Sequence, residues 1–160
     1  MNNFKKGEVK SVSKFTEAIA ITSPTHPASI FFSEDLKLSM RYTYNDLIRM
    51  EKWLKKRYPT TDEIPEDEHH NIMAIGLYLG QVLVHSFPGA YWEYASIENP
   101  FDARVMVPIK EKDPLELDPF TSVFLYIVEN RKNHSIIQWY GKIRSLSEGK
   151  DTKSKLNWIH

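Results

Sequence analysis

The sequence predicts a single α+β domain in which a small, mostly antiparallel sheet packs against helices. Residues 71–84 read NIMAIGLYLGQVLV, and a continuous apolar run of this length is typical of a helix buried by the rest of a domain. Shorter segments on both sides alternate apolar and polar residues with the period of two that strands show. The 160 residues suffice for one such domain, 1–160, with its own core.

The first part of the chain predicts one short helix, one strand and one longer helix. Residues 1–14 are expected to be loosely held. Residues 14–22 are predicted to form a short helix, with a strand over 18–22 as the alternative. Leu36, Leu38 and Met40 alternate with polar residues, which predicts a strand that joins the sheet. Thr43 and the acidic residue three positions later resemble a capping box, so we predict a helix from there to about Tyr58.

The central helix, predicted over about residues 70–86, has two contrasting sides. Gly76 and Gly80 lie on one side at about 100° per residue, and a glycine pair inside a helix indicates close approach of another backbone. The opposite side carries a polar stripe: His70, Asn71, Ala74, Tyr78, Gln81 and His85. This stripe is either the solvent-facing edge of the helix or the wall of a cleft. The uninterrupted apolar part spans about 13 residues where a membrane helix needs roughly 20, so no membrane association is expected.

After the central helix, two segments predict a hairpin. The aromatic sequence AYWEYASI at 90–97 favours a strand, and ARVMVPI at 103–109 is its expected antiparallel partner. We predict Val105, Val107 and Ile109 inward and Met106 outward. Pro108 places this second strand at an edge or near its end.

The last third of the chain predicts two helices. Asp118 and Pro119 are typical of a helix start, and the apolar face expected to follow comprises Phe120, Val123, Phe124, Ile127 and Val128. Ser135 is the predicted cap of the last helix, whose apolar residues are Ile136, Trp139, Tyr140, Ile143 and Leu146. Residues 148–160 are expected to be loosely ordered.

Charge is balanced overall but unevenly distributed. Twelve acidic and three basic residues lie between Thr60 and Asp118, whereas seven basic and two acidic residues follow from Arg131 onwards. Loops and helix ends collect charge for solubility; the alternative is an acidic surface that attracts a basic protein. Zero net charge argues against a dedicated nucleic-acid-binding protein.

Several activities lack their local signatures. The sequence contains no phosphate-binding glycine loop and no nucleophile elbow, and the absence of cysteine removes disulfides and thiolate chemistry. His69 and His70 follow two acidic residues without the spacing of a metal site, so no metal or cofactor is predicted. Because MNNFKKGEVK has no apolar signal segment, we expect a cytoplasmic protein.

One group of residues is a candidate binding site if the polar stripe lines a cleft. Its members are Tyr78, Gln81, His85, Trp92 and Glu93. Glu93 lies among aromatic residues and is a candidate general acid, but hydrolysis of a glycoside requires a second carboxylate that the sequence does not identify. No catalytic residue is therefore predicted. Aromatic residues such as Trp92 or Trp139 are also candidates for burial in a homodimer.

The order of these segments resembles an uncharacterised bacterial domain of unknown function. LKLSMRYT leads into YNDLIRMEKWL, and IGLYLGQVLVHSFPGAYWEYA is followed by ARVMVPI. Members of that domain carry a similar G-x-Y-L-G-x-V-L helix before a tryptophan strand, matched here by Gly76, Tyr78, Gly80 and Trp92. The chain has Gln81 where similar proteins are expected to have glutamate. The resemblance covers Leu36 to Pro108 and implies a fold rather than an activity.

Two hypotheses for function follow. The acidic middle and the missing catalytic signatures favour a non-enzymatic cytoplasmic module of regulatory or immunity type that binds another protein. The alternative is a small-ligand-binding or hydrolytic site between the central helix and the aromatic strand, built from the five residues named above.

Overall fold

The computed structural model describes residues 17–59, 64–94, 100–128 and 134–149. Its main elements in chain order are α1 (Tyr44–Arg57), α2 (His69–Ser86), β1 (Tyr91–Tyr94), β2 (Ala103–Ile109), β3 (Lys112–Leu117), α3 (Pro119–Val128) and α4 (Ile136–Ser147). The helices pack against one three-stranded antiparallel sheet. This architecture confirms the predicted α+β class.

Helix α2 is the buried centre of the structure. Ile75, Leu77, Leu79, Val82 and Leu83 are completely buried, and the helix contacts α1, α3, β1 and β2. Full burial of such a side chain stabilises a fold by about 1.5–3 kcal/mol, so this helix organises most of the core. The predicted buried helix at about 70–86 is confirmed. Within the described ranges, no helix combines the length and apolar content needed to cross a bilayer.

Aromatic rings, not a backbone, fill the two glycine positions of α2. A Cβ atom added at Gly76 would lie 2.3 Å from a ring carbon of Phe120, and one added at Gly80 would lie 2.0 Å from a ring carbon of Trp92. The predicted close approach is present, but its predicted partner is wrong. The long side chains of β1 and α3 reach α2 and occupy the space that a side chain on the helix would take.

The sheet has the order β1-β2-β3, so β2 is central. The predicted hairpin is confirmed, because Trp92 pairs with Val105 and Glu93 pairs with Arg104 in antiparallel register. Of the two positions expected from Pro108, an edge strand or the end of a strand, the second is the one observed. The proline is accommodated because it lies near the strand end, where the pairing with β3 has an irregularity between Val107 and Ile109.

Two further expectations for the sheet are corrected. The third strand is Lys112–Leu117 rather than the segment at Leu36 to Met40. Met106, predicted to point outward, is buried. The first difference arises because β3 pairs with the second edge of β2.

The segment predicted as a strand at Leu36 to Met40 is a loop that follows a π-helical turn at Phe31–Asp35. Leu36 and Leu38 are buried at 2% and 4% exposure, so the apolar alternation is real. The backbone is not extended, however, because Lys37 and Met40 have positive φ angles of 64° and 62°. Alternating burial therefore arises here from a twisted loop.

The two carboxyl-terminal helices begin where the sequence predicts. The Asp118 carboxylate accepts the Thr121 amide at 3.0 Å, and Ser135 Oγ accepts the Gln138 amide at 3.3 Å, which are typical amino-terminal caps. Phe124, expected on the buried face of α3, is 45% exposed.

Trp139, suggested for a homodimer interface, is completely buried inside the chain. It is therefore not available to a second copy.

Some predictions fall on residues outside the described ranges. These are the leading segment 1–14, the end of the predicted strand at 95–97 and the carboxyl-terminal segment from 150 onwards. Of the predicted helix at 14–22, residues 17–20 are helical. The single-domain organisation remains a prediction.

Candidate functional site

A buried carboxylate, Asp46, joins the start of α1 to the middle of α2. It accepts hydrogen bonds from the Tyr78 hydroxyl at 2.6 Å, from the amide and hydroxyl of Ser39, both at 2.8 Å, and from the Thr43 amide at 3.2 Å. The bond from the Thr43 amide to the Asp46 carboxylate is one half of a capping box, in which the side chain of the third helical residue accepts from the backbone of the N-cap residue. Because a buried charge is tolerated only when it is hydrogen-bonded or paired, we interpret this cluster, the Asp46 joint, as structural.

Hydrogen bonding and burial determine the protonation of the Asp46 joint. Burial alone raises the pKa of Asp46, but the hydrogen bonds from Tyr78, Ser39 and Thr43 outweigh it, and the pKa lies below its ordinary value. Burial and the nearby carboxylate raise the pKa of the Tyr78 hydroxyl. At neutral pH the pair is an ionised carboxylate and a neutral phenol, so neither group exchanges protons readily.

The loop before α1 covers the Asp46 joint in a strained conformation. Lys37, Met40 and Tyr42 have φ angles of 64°, 62° and 58°, a region that residues with a Cβ adopt rarely. The Tyr42 amide donates to the Tyr78 hydroxyl at 3.3 Å. The joint thus helps to hold the loop that covers it.

The ring of Tyr42 connects two of the predicted site residues. Its centroid lies 5.2 Å from that of Tyr78 and 4.6 Å from that of His85, and its hydroxyl donates to the Thr22 carbonyl oxygen at 2.7 Å. Tyr42 therefore separates the buried Tyr78 from the exposed His85.

Gln81 makes hydrogen bonds within the molecule. Its Oε1 accepts the Trp92 indole N–H at 3.0 Å, and its Nε2 donates to Thr22 Oγ1 at 3.5 Å. The same Trp92 ring lies against Gly80. The side-chain amide thus fixes the aromatic ring that closes this part of α2.

The structure brings together four of the five predicted site residues through contacts within the protein. Gln81 contacts Trp92 directly, and the Tyr42 ring links Tyr78 to His85. Glu93 is exposed and stands on the other face of β1 from Trp92. Four clefts among the described residues are lined by other side chains.

The largest of these four clefts lies at the amino-terminal end of α2 and has a volume of about 940 Å³. We name it the Trp53 cleft. It is lined by Phe31, Glu34, Asp35, Trp53, Lys56, Arg57, Asp67, Glu68, His70 and Asn71. The lining comes from the π-helical turn, α1, the 3-10 turn at Glu66–Glu68 and the start of α2, so the fold assembles it from separate parts of the sequence.

Aromatic contacts fix the wall of the Trp53 cleft. The half-buried Trp53 ring meets Phe31 edge-on, with centroids 5.6 Å apart and planes at 87°, and meets Tyr58 at 6.1 Å and 82°. Such edge-to-face pairs contribute about 0.5–1.5 kcal/mol beyond burial. The indole is therefore held in place before any ligand arrives.

One acidic residue of the cleft, Glu68, is fully engaged. Arg57 donates to both its oxygens at 3.1 and 2.6 Å, while the Tyr58 hydroxyl and the Asn71 amide donate at 2.8 and 3.2 Å. The hydrogen bonds from Arg57 and Tyr58 lower the pKa of Glu68 to about 2. Burial, together with the bond to Glu68, raises the pKa of Tyr58 to about 12.

The other acidic residues of the cleft are exposed. The side chains of Glu34, Asp35 and Asp67 make no hydrogen bond or ion pair within the described part of the chain. Lys56, also exposed, likewise has no such partner there. The lining carries four acidic and two basic side chains, a net charge of −2 without His70. This combination of free carboxylates and a fixed indole suits a cation.

Sequence reasoning identified part of this cleft. Asp67 and Glu68 belong to the acidic stretch proposed to face a partner, but Phe31 and Trp53 were not recognised as site residues. The one available signal was an acidic pair that follows two aromatic residues after a single serine in FFSED. That signal does not reveal that Trp53 packs against the same turn.

A second polar pair is also internal. Ser122 Oγ lies 3.0 Å from His134 Nε2, and the two residues are 0% and 6% exposed. A serine beside a histidine resembles a nucleophile with its base, but this pair is buried in the core. We interpret it as a hydrogen bond that joins α3 to the segment before α4. No three potential ligand side chains cluster for a metal among the residues described.

No known protein family, curated protein or solved structure matches this chain. The resemblance to the bacterial domain therefore remains a prediction.

Proposed function

We propose that this chain is a non-enzymatic, regulatory or immunity-type module that binds a basic segment of another protein in the Trp53 cleft. One observation supports the proposal: a fixed indole stands in a large cleft whose unpaired charges are mostly acidic. A lysine or arginine side chain placed over the Trp53 ring would meet the negative face of the ring and the carboxylates nearby. Cation–π contact contributes about 0.5–1 kcal/mol at exposed sites and about 2 kcal/mol when desolvated.

The dimensions of the cleft suit a peptide segment. Its volume of about 940 Å³ lies near the upper end of the 300–1,000 Å³ range of ligand pockets, so it holds more than one side chain. The exposed carboxylates of Glu34 and Asp35 stand on one element and that of Asp67 on another. Basic residues spaced along a segment would meet both groups of carboxylates, and their attraction would accelerate encounter.

A panel of short synthetic peptides tests the proposal. Lysine- and arginine-rich peptides should bind, whereas neutral and acidic peptides of equal length should not. The combined variant Glu34→Gln, Asp35→Asn, Asp67→Asn should weaken binding by about ten-fold or more, since two charge-assisted contacts suffice for that loss.

A matched control separates the cleft from net charge. Glu111→Gln, Asp113→Asn and Glu116→Gln together remove the same number of charges from exposed positions in and beside β3. This control should leave peptide affinity nearly unchanged. Equal weakening by the two triple variants would contradict the proposal, as would a failure of basic peptides to bind.

The small-ligand or hydrolytic alternative at Tyr78, Gln81, His85, Trp92 and Glu93 is less well supported. The contacts of Gln81 and Trp92 are made with one another, and Tyr78 is engaged by Asp46. The cytoplasmic location expected from the sequence remains a prediction.

A further inference from the structure

A second cleft combines apolar walls with two polar groups of opposite charge. It lies between the start of α2, β2 and α3 and has a volume of about 340 Å³. We name it the Phe124 pocket. Its lining includes Phe101, Asp102, Arg104, Asp118, Phe120 and Phe124. None of these residues lines the Trp53 cleft, so the two sites can be tested separately.

The walls of the Phe124 pocket are aromatic. Phe101 and Phe120 pack edge-on, with ring centroids 5.1 Å apart and planes at 78°, and Phe120 is almost completely buried. Phe124 is 45% exposed. At about 30 Å³ per water molecule, the volume of the pocket corresponds to roughly eleven waters, which leaves room for one leucine or phenylalanine molecule together with some water.

Asp118 is already engaged by the protein. Its two oxygens accept the amide and hydroxyl of Thr121 at 3.0 and 2.7 Å. Its charge also faces Arg104 Nη2 at 3.6 Å. A ligand would therefore gain little from Asp118.

Arg104 has donors to spare. Its Nη1 donates to the carbonyl oxygens of Phe101 and Ala103, both at 3.0 Å. Neither Nη2 nor Nε makes a hydrogen bond to a described residue, and the side chain is 32% exposed. The part of the guanidinium that remains free can donate to a carboxylate.

Asp102 provides the opposite charge. It is half-buried and forms no hydrogen bond or ion pair through its side chain in the described ranges, including none with Arg104. The pocket thus presents a guanidinium with free N–H donors, whose charge Asp118 faces at 3.6 Å, and the carboxylate of Asp102, which has no partner among the described residues. Partly buried charges gain most when a partner of opposite sign satisfies them.

We propose that the Phe124 pocket binds a free α-amino acid with an apolar side chain. The ligand carboxylate accepts from Arg104, the ammonium donates to Asp102, and the side chain packs among Phe101, Phe120 and Phe124. A ligand that carries one charge can bind either Arg104 or Asp102, and the other of these two groups then has no ligand partner. The zwitterion satisfies both.

Three probes that share one aromatic body test the proposal by calorimetry on the full chain. L-Phenylalanine carries both charges, 3-phenylpropanoate lacks the ammonium, and 2-phenylethylamine lacks the carboxylate. L-Phenylalanine should bind about ten-fold or more tightly than either analogue, because each loses one charge-assisted hydrogen bond. Equal affinity for the three, preference for an analogue, or no binding at millimolar concentration would overturn the proposal.

Variants assign the two charges. Asp102→Asn should weaken the binding of L-phenylalanine about ten-fold without weakening the binding of 3-phenylpropanoate. Asp113→Asn on β3 is the matched control and should change neither affinity. Arg104→Gln should reverse the pattern. It should weaken the binding of L-phenylalanine and of 3-phenylpropanoate, which both carry a carboxylate, and leave the binding of 2-phenylethylamine unchanged.

Arg104 also supports the backbone, so Phe124→Ala provides an independent test. This residue is partly exposed, and its truncation should weaken L-phenylalanine while the protein stays folded. Unchanged affinity in Phe124→Ala, or equal effects of Asp102→Asn and Asp113→Asn, would contradict the assignment. Peptide binding at the Trp53 cleft should be unaffected by Asp102→Asn and Phe124→Ala, so failure of one proposal is distinguishable from failure of the other.

Discussion

Two polar regions of the same helix differ in what covers them. In the middle of α2, Tyr78 and Gln81 are engaged by Asp46 and Trp92. At its amino-terminal end, Glu68 and Asn71 border a cleft of about 940 Å³ with exposed carboxylates. The sequence presents both regions as polar positions on or beside one helix. The difference shows that the packing partner, not the polar residue, decides whether such a position becomes a structural joint or an open surface.

The largest expected effect comes from breaking the closed region at Asp46. Asp46→Ala leaves the buried Tyr78 hydroxyl and the amide of the exposed Ser39 without their acceptor, and the unsatisfied buried hydroxyl alone costs about 1–3 kcal/mol. We expect the free energy of unfolding, measured by urea denaturation, to fall by at least about 2 kcal/mol. Asp113→Ala, an exposed control, should change it by less than about 0.5 kcal/mol. A similar small change for both variants would mean that the joint is not a structural element.

The next effect concerns the ring that closes this region. Gly80→Ala places a Cβ atom against the Trp92 ring, and such overpacking costs about 1–3 kcal/mol. Gly141→Ala is the matched control, since Gly141 also lies within a helix but has open space around it. That substitution should stabilise the protein by about 0.4–1 kcal/mol. If thermal denaturation shows that both substitutions stabilise, the Trp92 ring does not restrict this position.

Local signals explain which elements the sequence predicts. Each of these signals acts within a few residues: the apolar run of α2, the pair Asp118 and Pro119, and the cap Ser135. The hairpin depends on a short connection between its strands. The loop at 36–42 was not predictable, because the alternating apolar residues Leu36 and Leu38 form the same sequence pattern as a half-buried strand. Its conformation depends instead on Asp46.

Tertiary contacts explain what sequence reasoning missed in the candidate site. Strand β3 reads KDPLEL, in which proline and charges hide the alternation. Phe31 and Trp53 meet because the π-helical turn packs on α1, a contact that neither segment specifies alone. The acidic side of the cleft was recognisable because Asp67 and Glu68 are adjacent in sequence.

The open region has a pH-dependent contact of its own. The pKa of Glu68 is about 2 in the folded protein and about 4.3 in an unfolded chain. Its stabilisation is therefore complete above pH 4.3 and is lost as the pH falls toward 2. Glu68→Gln should lower stability at pH 7 by about 1 kcal/mol, the value typical of a solvent-accessible ion pair.

The comparison that tests this contact is made in acid. Between about pH 4.5 and 2, the stability of Glu68→Gln should fall less steeply than that of the wild-type protein. Some slope should remain, because the pKa of Asp46 is also lowered. Parallel curves for the two proteins would show that Glu68 does not titrate with the depressed pKa.

The smallest effect on stability is expected where the effect on binding is greatest. Neutralising Glu34, Asp35 and Asp67 removes no contact made within the described part of the chain, so unfolding should change by less than about 0.5 kcal/mol. The affinity of the wild-type protein for a lysine-rich peptide should decrease with salt, because screening shortens electrostatic attraction to about 10 Å at 0.1 M. In the triple variant this salt dependence should be weaker. Asp46→Ala should do the reverse, lowering stability while leaving the salt dependence of any remaining folded protein unchanged. A triple variant that loses stability as Asp46→Ala does would place the three carboxylates among the structural contacts and remove the distinction between the two regions.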